Sequence, residues 1–184
     1  MSLQATTWQT VGPYFRIGLE HLNNAQLATS STPGEHVTIR GRLLDGEGRP
    51  IPDAVIEIWQ ANADGDYCRA SGNNPDGFRG FGRIPTDAEG RFVFTTIKPG
   101  AVTGPGEMKQ SPHFAVRLMM RGLLKGLFTR MYFPKEDLAG DPVLQLVPEP
   151  RRATLIARPS PDDDSTLIWD IEMQGERETV FFDC

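Results

Sequence analysis

The 184-residue sequence predicts an all-β fold, an antiparallel β-sandwich with little helix. Three observations carry that prediction. Apolar and polar residues alternate with period two over short segments, which turns one face of each segment toward a core. The 19 glycines and 15 prolines recur too often for long helices. Turns such as "DGEGRPIP", "NADGD" and "TDAEGR" join the segments, where a βαβ fold would need helical crossovers.

Taken in chain order, residues 1–35 are expected to form an N-terminal arm at a subunit interface. Trp8, Tyr14, Phe15, Ile17 and Leu19 make that stretch too apolar for a free tail. The sandwich domain is expected over residues 36–184. "HVTIRGRLLD" sets Val37, Ile39, Gly41 and Leu43 against His36, Thr38, Arg40 and Arg42. "DAVIEIWQA" sets Ala54, Ile56 and Ile58 against Val55, Glu57 and Trp59. "GRFVFTTIKPG" does the same with Phe92, Phe94 and Thr96 against Val93, Thr95 and Ile97. "HFAVRLMMRG" and "GLFTRMYFP" follow as two strands joined by a turn over 122–126. "ATLIARP" and "STLIWDIEMQG" read as a final hairpin turning through "SPDDDS". The one helix candidate is "PKEDLAGDPVLQL", with Pro134 at its start and Gly140 interrupting it.

Composition narrows the function classes. A formal charge of -5 argues against an electrostatic nucleic-acid binder, which carries a basic footprint. The local clusters around Arg117 to Arg130 and at Arg151 and Arg152 read as solvated faces. No run reaches the roughly 18 apolar residues of a membrane helix. "MSLQATTWQTVGPYF" lacks the charged and apolar regions of a secretory leader. Cys68 and Cys184 form neither a disulfide framework nor a CxxC pair, so a cytoplasmic protein with reduced thiols and no membrane partner is expected.

Common catalytic templates are missing: GxGxxG, the P-loop, HExxH and GxSxG do not occur. "GPGEMK" at Gly104 neither follows a strand signal nor opens a helix, and Asp162 to Asp164 lack the spacing of a calcium loop. Attention falls on tyrosines and histidines. Tyr67 follows "WQANADGD" just past a strand end, where it either points into a cleft or sits half-buried at a sandwich rim. His113, in "MKQSPHFAV", is either a ligand, a base or a core histidine that opens a strand. Two such donors do not hold a transition metal, which needs three or four protein ligands.

Read together, "TVGPYF", "GRPIPDAVIEIWQANADGDY", "FRGFGR", "TDAEGRFVFTTIKPG", "SPHFAV" and "RETVFFDC" run in this order over nearly the whole chain. Each string alone is weak, but the ordered set resembles the intradiol ring-cleavage dioxygenases. The resemblance implies a β-sandwich and, for the two-chain members, an α chain paired with a homologous iron-binding β subunit in a higher αβ oligomer. The β chain holds non-haem Fe(III) with two tyrosines and two histidines. Carried onto this sequence, Tyr67 matches the first tyrosine, whereas Val102 in "KPGAV" stands at the second. Ser111 replaces the first histidine of the His-x-His pair and His113 keeps the second.

The resemblance therefore implies an iron-free α chain with degenerate ligand positions Tyr67, Val102, Ser111 and His113. It binds no cofactor itself and has no catalytic residue of its own. Its implied part is to line a substrate pocket at the interface with Thr10, Gly12, Pro13 and Tyr14 of "TVGPYF" and with Arg130 of "FTRMYFP". The implied reaction cleaves protocatechuate with O2 between its hydroxylated carbons to 3-carboxy-cis,cis-muconate, in aromatic catabolism through the β-ketoadipate pathway. Two alternatives stay open: a self-sufficient intradiol dioxygenase using Tyr67, His113 and Tyr132, and a non-catalytic transthyretin-like sandwich module suggested by "GRPIPDAVIEI".

Overall fold

The structure is a computed structural model that describes residues 4–68 and 77–183. Cys184, read above as a thiol, lies outside the described residues. Two sheets form the sandwich. One is built from β2 (Val55–Trp59), β3 (Phe81–Pro85), β7 (His113–Met119) and β8 (Leu127–Tyr132), in the order β3-β2-β7-β8. Every neighbouring pair in it is antiparallel. The other gathers β4 (Arg91–Ile97), β9 (Arg158–Pro159), β10 (Thr166–Ile168) and β11 (Ile171–Glu172) around the long β1 (His36–Leu44). A two-stranded ribbon, β5 (Val102–Thr103) with β6 (Lys109–Gln110), leads into β7.

The inward faces are those the alternation predicts. Ile39 and Leu43 of β1, Ile56 and Ile58 of β2, and Phe92 and Phe94 of β4 are buried in one core. β7 adds Phe114, Val116 and Leu118. The Phe114 ring meets Phe94 and Phe133 edge-on, with centroids 5.6 and 5.1 Å apart. Burying side chains of this size stabilises the fold by roughly 1.5–3 kcal/mol each. Gly41 breaks the apolar series on β1 for a steric reason. A Cβ there would lie 1.8 Å from the Trp169 carbonyl oxygen, so only glycine lets the chain past Trp169 close against β1.

The arm is tied to both sheets. Asn24 bridges to Arg83 on β3, Gln26 bridges to Thr95 on β4, and Leu27 is buried in the core. Further out, Tyr14–Ile17 forms a four-residue helical turn, α1. Arg16 donates to Asp53 at 2.7 Å and holds that turn against the sandwich.

Three expectations need correction. The helix foreseen over "PKEDLAGDPVLQL" reduces to a 3-10 turn at Leu144–Leu146. The Asp141 carboxylate takes the N–H groups of Val143 and Leu144, which starts the helical turn there, while Pro134 and Lys135 form only a non-helical turn. The first strand of the final hairpin contracts to Arg158–Pro159, because Glu149–Arg152 forms a short helix, α2, and Ala153–Leu155 a 3-10 turn. Its partner splits into β10 and β11, and both lie parallel to β1 within the otherwise antiparallel sandwich. β9 and β10 pair antiparallel, so part of the expected hairpin is kept.

Candidate active-site cleft

The outer face of the four-stranded sheet assembles the chemistry. Alternation on β7 and β8 turns Phe114, Val116 and Met131 inward, and so turns His113, Ala115, Arg130 and Tyr132 outward. The antiparallel register sets His113 opposite Tyr132 and Ala115 opposite Arg130. The His113 and Tyr132 rings lie 5.8 Å apart, tilted by 40°. Tyr67 reaches the same region from the loop after β2, with 42% of its surface exposed. The ribbon contributes Val102, which pairs with Gln110.

Arg130, Tyr132 and His113 are joined through Gln110, Asp141 and Ser111 into one hydrogen-bonded network. Arg130 Nη1 donates to Gln110 Oε1 at 2.8 Å and more weakly to Tyr132 Oη at 3.5 Å. Tyr132 Oη donates to Asp141 Oδ1 at 3.0 Å, and the other oxygen of that carboxylate accepts the Ser111 N–H at 2.8 Å. The Ser111 hydroxyl donates to the Asp137 carbonyl at 2.9 Å. The Ser111 carbonyl lies 2.8 Å from His113 Nδ1. A carbonyl can only accept, so Nδ1 carries the proton and the neutral ring keeps its lone pair on Nε2.

Electrostatics follow from this packing. Burial, with help from the Arg130 cation, pushes His113 down to about 4, so the ring is neutral at physiological pH. Burial pushes the Tyr132 hydroxyl well above its ordinary range, with Arg130 opposing. The Tyr67 phenol is likewise raised by burial and lowered in part by Arg130. One guanidinium thus acts on all three rings.

The donor set does not fit a ferric ion. Val102 offers no donor atom, and the Ser111 and Tyr132 hydroxyls are spent on Asp137 and Asp141. Tyr67 Oη and His113 Nε2 remain, beside a permanent cation. Among the described residues, no three His, Cys, Asp or Glu side chains gather closely enough to hold a metal.

The arm candidates lie elsewhere. The Gly122 N–H donates to Thr10 Oγ1 at 2.8 Å, and that hydroxyl donates onward to the Met120 carbonyl at 3.4 Å. Thr10 is therefore an anchor at the far end of β7. Five residues separate Met120 from Ala115, the partner of Arg130, or about 17 Å at ~3.3 Å per strand residue. Gly12 and Pro13 line a cavity of about 200 Å3 with Val11, Phe15 and Arg121, while Tyr14 is 80% exposed. The structure thus brings Tyr67, Val102, Ser111, His113 and Arg130 to one region and keeps Thr10, Gly12, Pro13 and Tyr14 apart from it. Sequence reasoning missed Gln110 and Asp141. Asp141 carried one usable signal, an Asp-Pro step that favours turn initiation.

Fold and cleft together define a class. Residues 10–175 match the family model described as Dioxygenase, and the chain belongs to the intradiol ring-cleavage dioxygenase family. It is 40% identical over 198 residues to the protocatechuate 3,4-dioxygenase alpha chain of Burkholderia cepacia, covering 99% of this chain and 98% of that one. Identity to the alpha chain of Pseudomonas putida is also 40%, over 98% of this chain and 97% of that one. The beta chain of Burkholderia cepacia matches at 40% over 70% of this chain and 58% of its own length. Among solved structures, 3-chlorocatechol 1,2-dioxygenase from Rhodococcus opacus 1CP shares the fold with a TM-score of 0.66 at 23% identity, over 80% of this chain and 62% of that one.

Proposed function

We propose that this chain is the non-iron α subunit of a protocatechuate 3,4-dioxygenase, working with a homologous β subunit that binds Fe(III) in a higher αβ oligomer. The observation that carries the reading is the loss of donors at Val102 and Ser111, with the Ser111 hydroxyl turned to the Asp137 carbonyl. Near full-length likeness to two alpha chains, against a match over 70% of this chain to a beta chain, supports the assignment to the α side.

The substrates are protocatechuate and O2, and the product is 3-carboxy-cis,cis-muconate. Iron held by the β subunit would supply Lewis-acid chemistry to the shared pocket. This chain shapes the pocket. Thr10 pins the arm to the Met120 and Gly122 backbone, and Gly12 has open space around it. Pro13 stiffens the turn, so the Gly12 backbone can approach a planar ring closely at little entropic cost. Tyr14 extends the same edge. Arg130 and the arm serve a single pocket only across the subunit boundary, because they are far apart within this chain.

The assembled enzyme tests the reading through Tyr67→Phe and His113→Asn, made separately. Iron content and ring cleavage are expected to survive both substitutions. Loss of iron from either variant supports instead a self-sufficient site in this chain.

A further inference from the structure

We propose that Arg130 is a resident cation that closes this chain's cleft to metal ions, taking the central position among the side chains that face it. The inference deepens the assignment of the chain as the non-iron subunit and rests on it.

Geometry comes first. Arg130 projects from β8 on the face that carries Tyr132, and Tyr132 is paired with His113 across the sheet. Its Nη1 donates to Gln110 Oε1 at 2.8 Å and, more weakly, to Tyr132 Oη at 3.5 Å. Gln110 is the strand partner of Val102, so the guanidinium is bonded directly beside the ribbon position that lacks a donor. The charge acts on Tyr67 and His113, the two residues that keep a donor atom.

Chemistry makes the arrangement exclusive. A guanidinium has five N–H donors in a fixed fork and no lone pair to offer a metal. It satisfies neighbouring oxygens by donation and repels a multivalent cation at the same place. Its charge is balanced one step away, through Tyr132, by the buried Asp141 carboxylate. The cleft is thus a neutralised, hydrogen-bonded unit, and missing ligands are only half of what keeps metal out. Restoring donors alone leaves the cation in their midst.

The test uses the assembled complex and measures iron per αβ pair, by elemental analysis and by tyrosinate-to-iron charge-transfer absorption. The wild-type complex sets the baseline, and about one iron per pair is the prior check on the non-iron assignment. A Val102→Tyr, Ser111→His double variant is expected to stay at that baseline. Adding Arg130→Gln is expected to raise iron to about two per pair, with added visible absorption. Adding Arg130→Lys, which keeps a cation, is expected to hold it at the baseline. A double variant that already takes up the second iron overturns the proposal. So does an assembled triple variant with Gln that takes up none. Should Gln disturb assembly, Arg130→Met in the same background keeps a long unbranched stem without the charge. Uptake of the second iron by that variant supports the proposal, and no uptake overturns it.

Discussion

Tyr132 donates its hydroxyl to Asp141 at 3.0 Å, and the accepting carboxylate is wholly buried. The same carboxylate takes the backbone N–H groups of Ser111, Val143 and Leu144 at 2.8 to 3.0 Å. Four donors converge on one anion, which fixes the floor of the cleft and the chain after it. Tyr132→Phe removes one donor and is expected to cost about 1–3 kcal/mol, the penalty for an under-satisfied buried acceptor. Asp141→Ala strands three N–H groups and is expected to cost more than Tyr132→Phe. Chemical denaturation of both variants checks the order, and equal losses contradict it.

His113 gives a pH signature with a definite sign. Its folded-state value lies near 4, below the ordinary 6.5. The unfolded chain therefore binds a proton that the folded chain refuses between those values. The stability present above pH 6.5 is lost as pH falls toward 4, by about 3 kcal/mol at most. His113→Gln is expected to flatten that part of the profile. Unfolding midpoints of both proteins at pH 7 and pH 4.5 check it, and parallel falls contradict it.

Gly41 is a purely steric prediction. Gly41→Ala forces a methyl group against the Trp169 carbonyl and separates β1 from the chain leading to β11. The expected cost is about 3 kcal/mol, at the upper end of overpacking penalties. A melting temperature within a degree or so of wild type contradicts the close approach.

Thr10 separates positioning from stability. Thr10→Val keeps the shape and removes both of its hydrogen bonds at an exposed site. Stability is expected to change by less than about 1 kcal/mol. In the assembled enzyme kcat/KM is expected to fall by roughly ten- to a hundredfold, because small displacements of a pocket wall are costly. Unchanged kinetics in a folded variant contradict the arm's place in the pocket.

Much of this architecture is legible in the sequence where one physical signal dominates. Period-two alternation locates β1, β2, β4, β7 and β8, because one face of each packs on the core; it is cleanest in β1 and β4, whose other face is wet. β3 escapes it: Gly82 has no side chain and Arg83 is buried, so "FGRIP" shows no alternation. Arg83 is tolerated inside because it donates to the Phe15 carbonyl and lies over the Phe15 ring, partners that come from the arm. The cleft divides in the same way. Tyr67, Val102, Ser111 and His113 are readable through their place in ordered strings. Gln110 is not, and Asp141 is readable only as a turn starter, since their roles lie in bonds across 20 to 30 residues of chain. No local pattern encodes such bonds.

As the proposed non-iron subunit, this chain is expected to support a dioxygenase without holding its iron. The most direct measurement is iron and protocatechuate cleavage for the purified chain alone, after incubation with iron, and for the chain assembled with its β partner. A colourless, inactive lone chain and a coloured, active complex are expected. A lone chain that holds stoichiometric iron and cleaves protocatechuate contradicts that expectation.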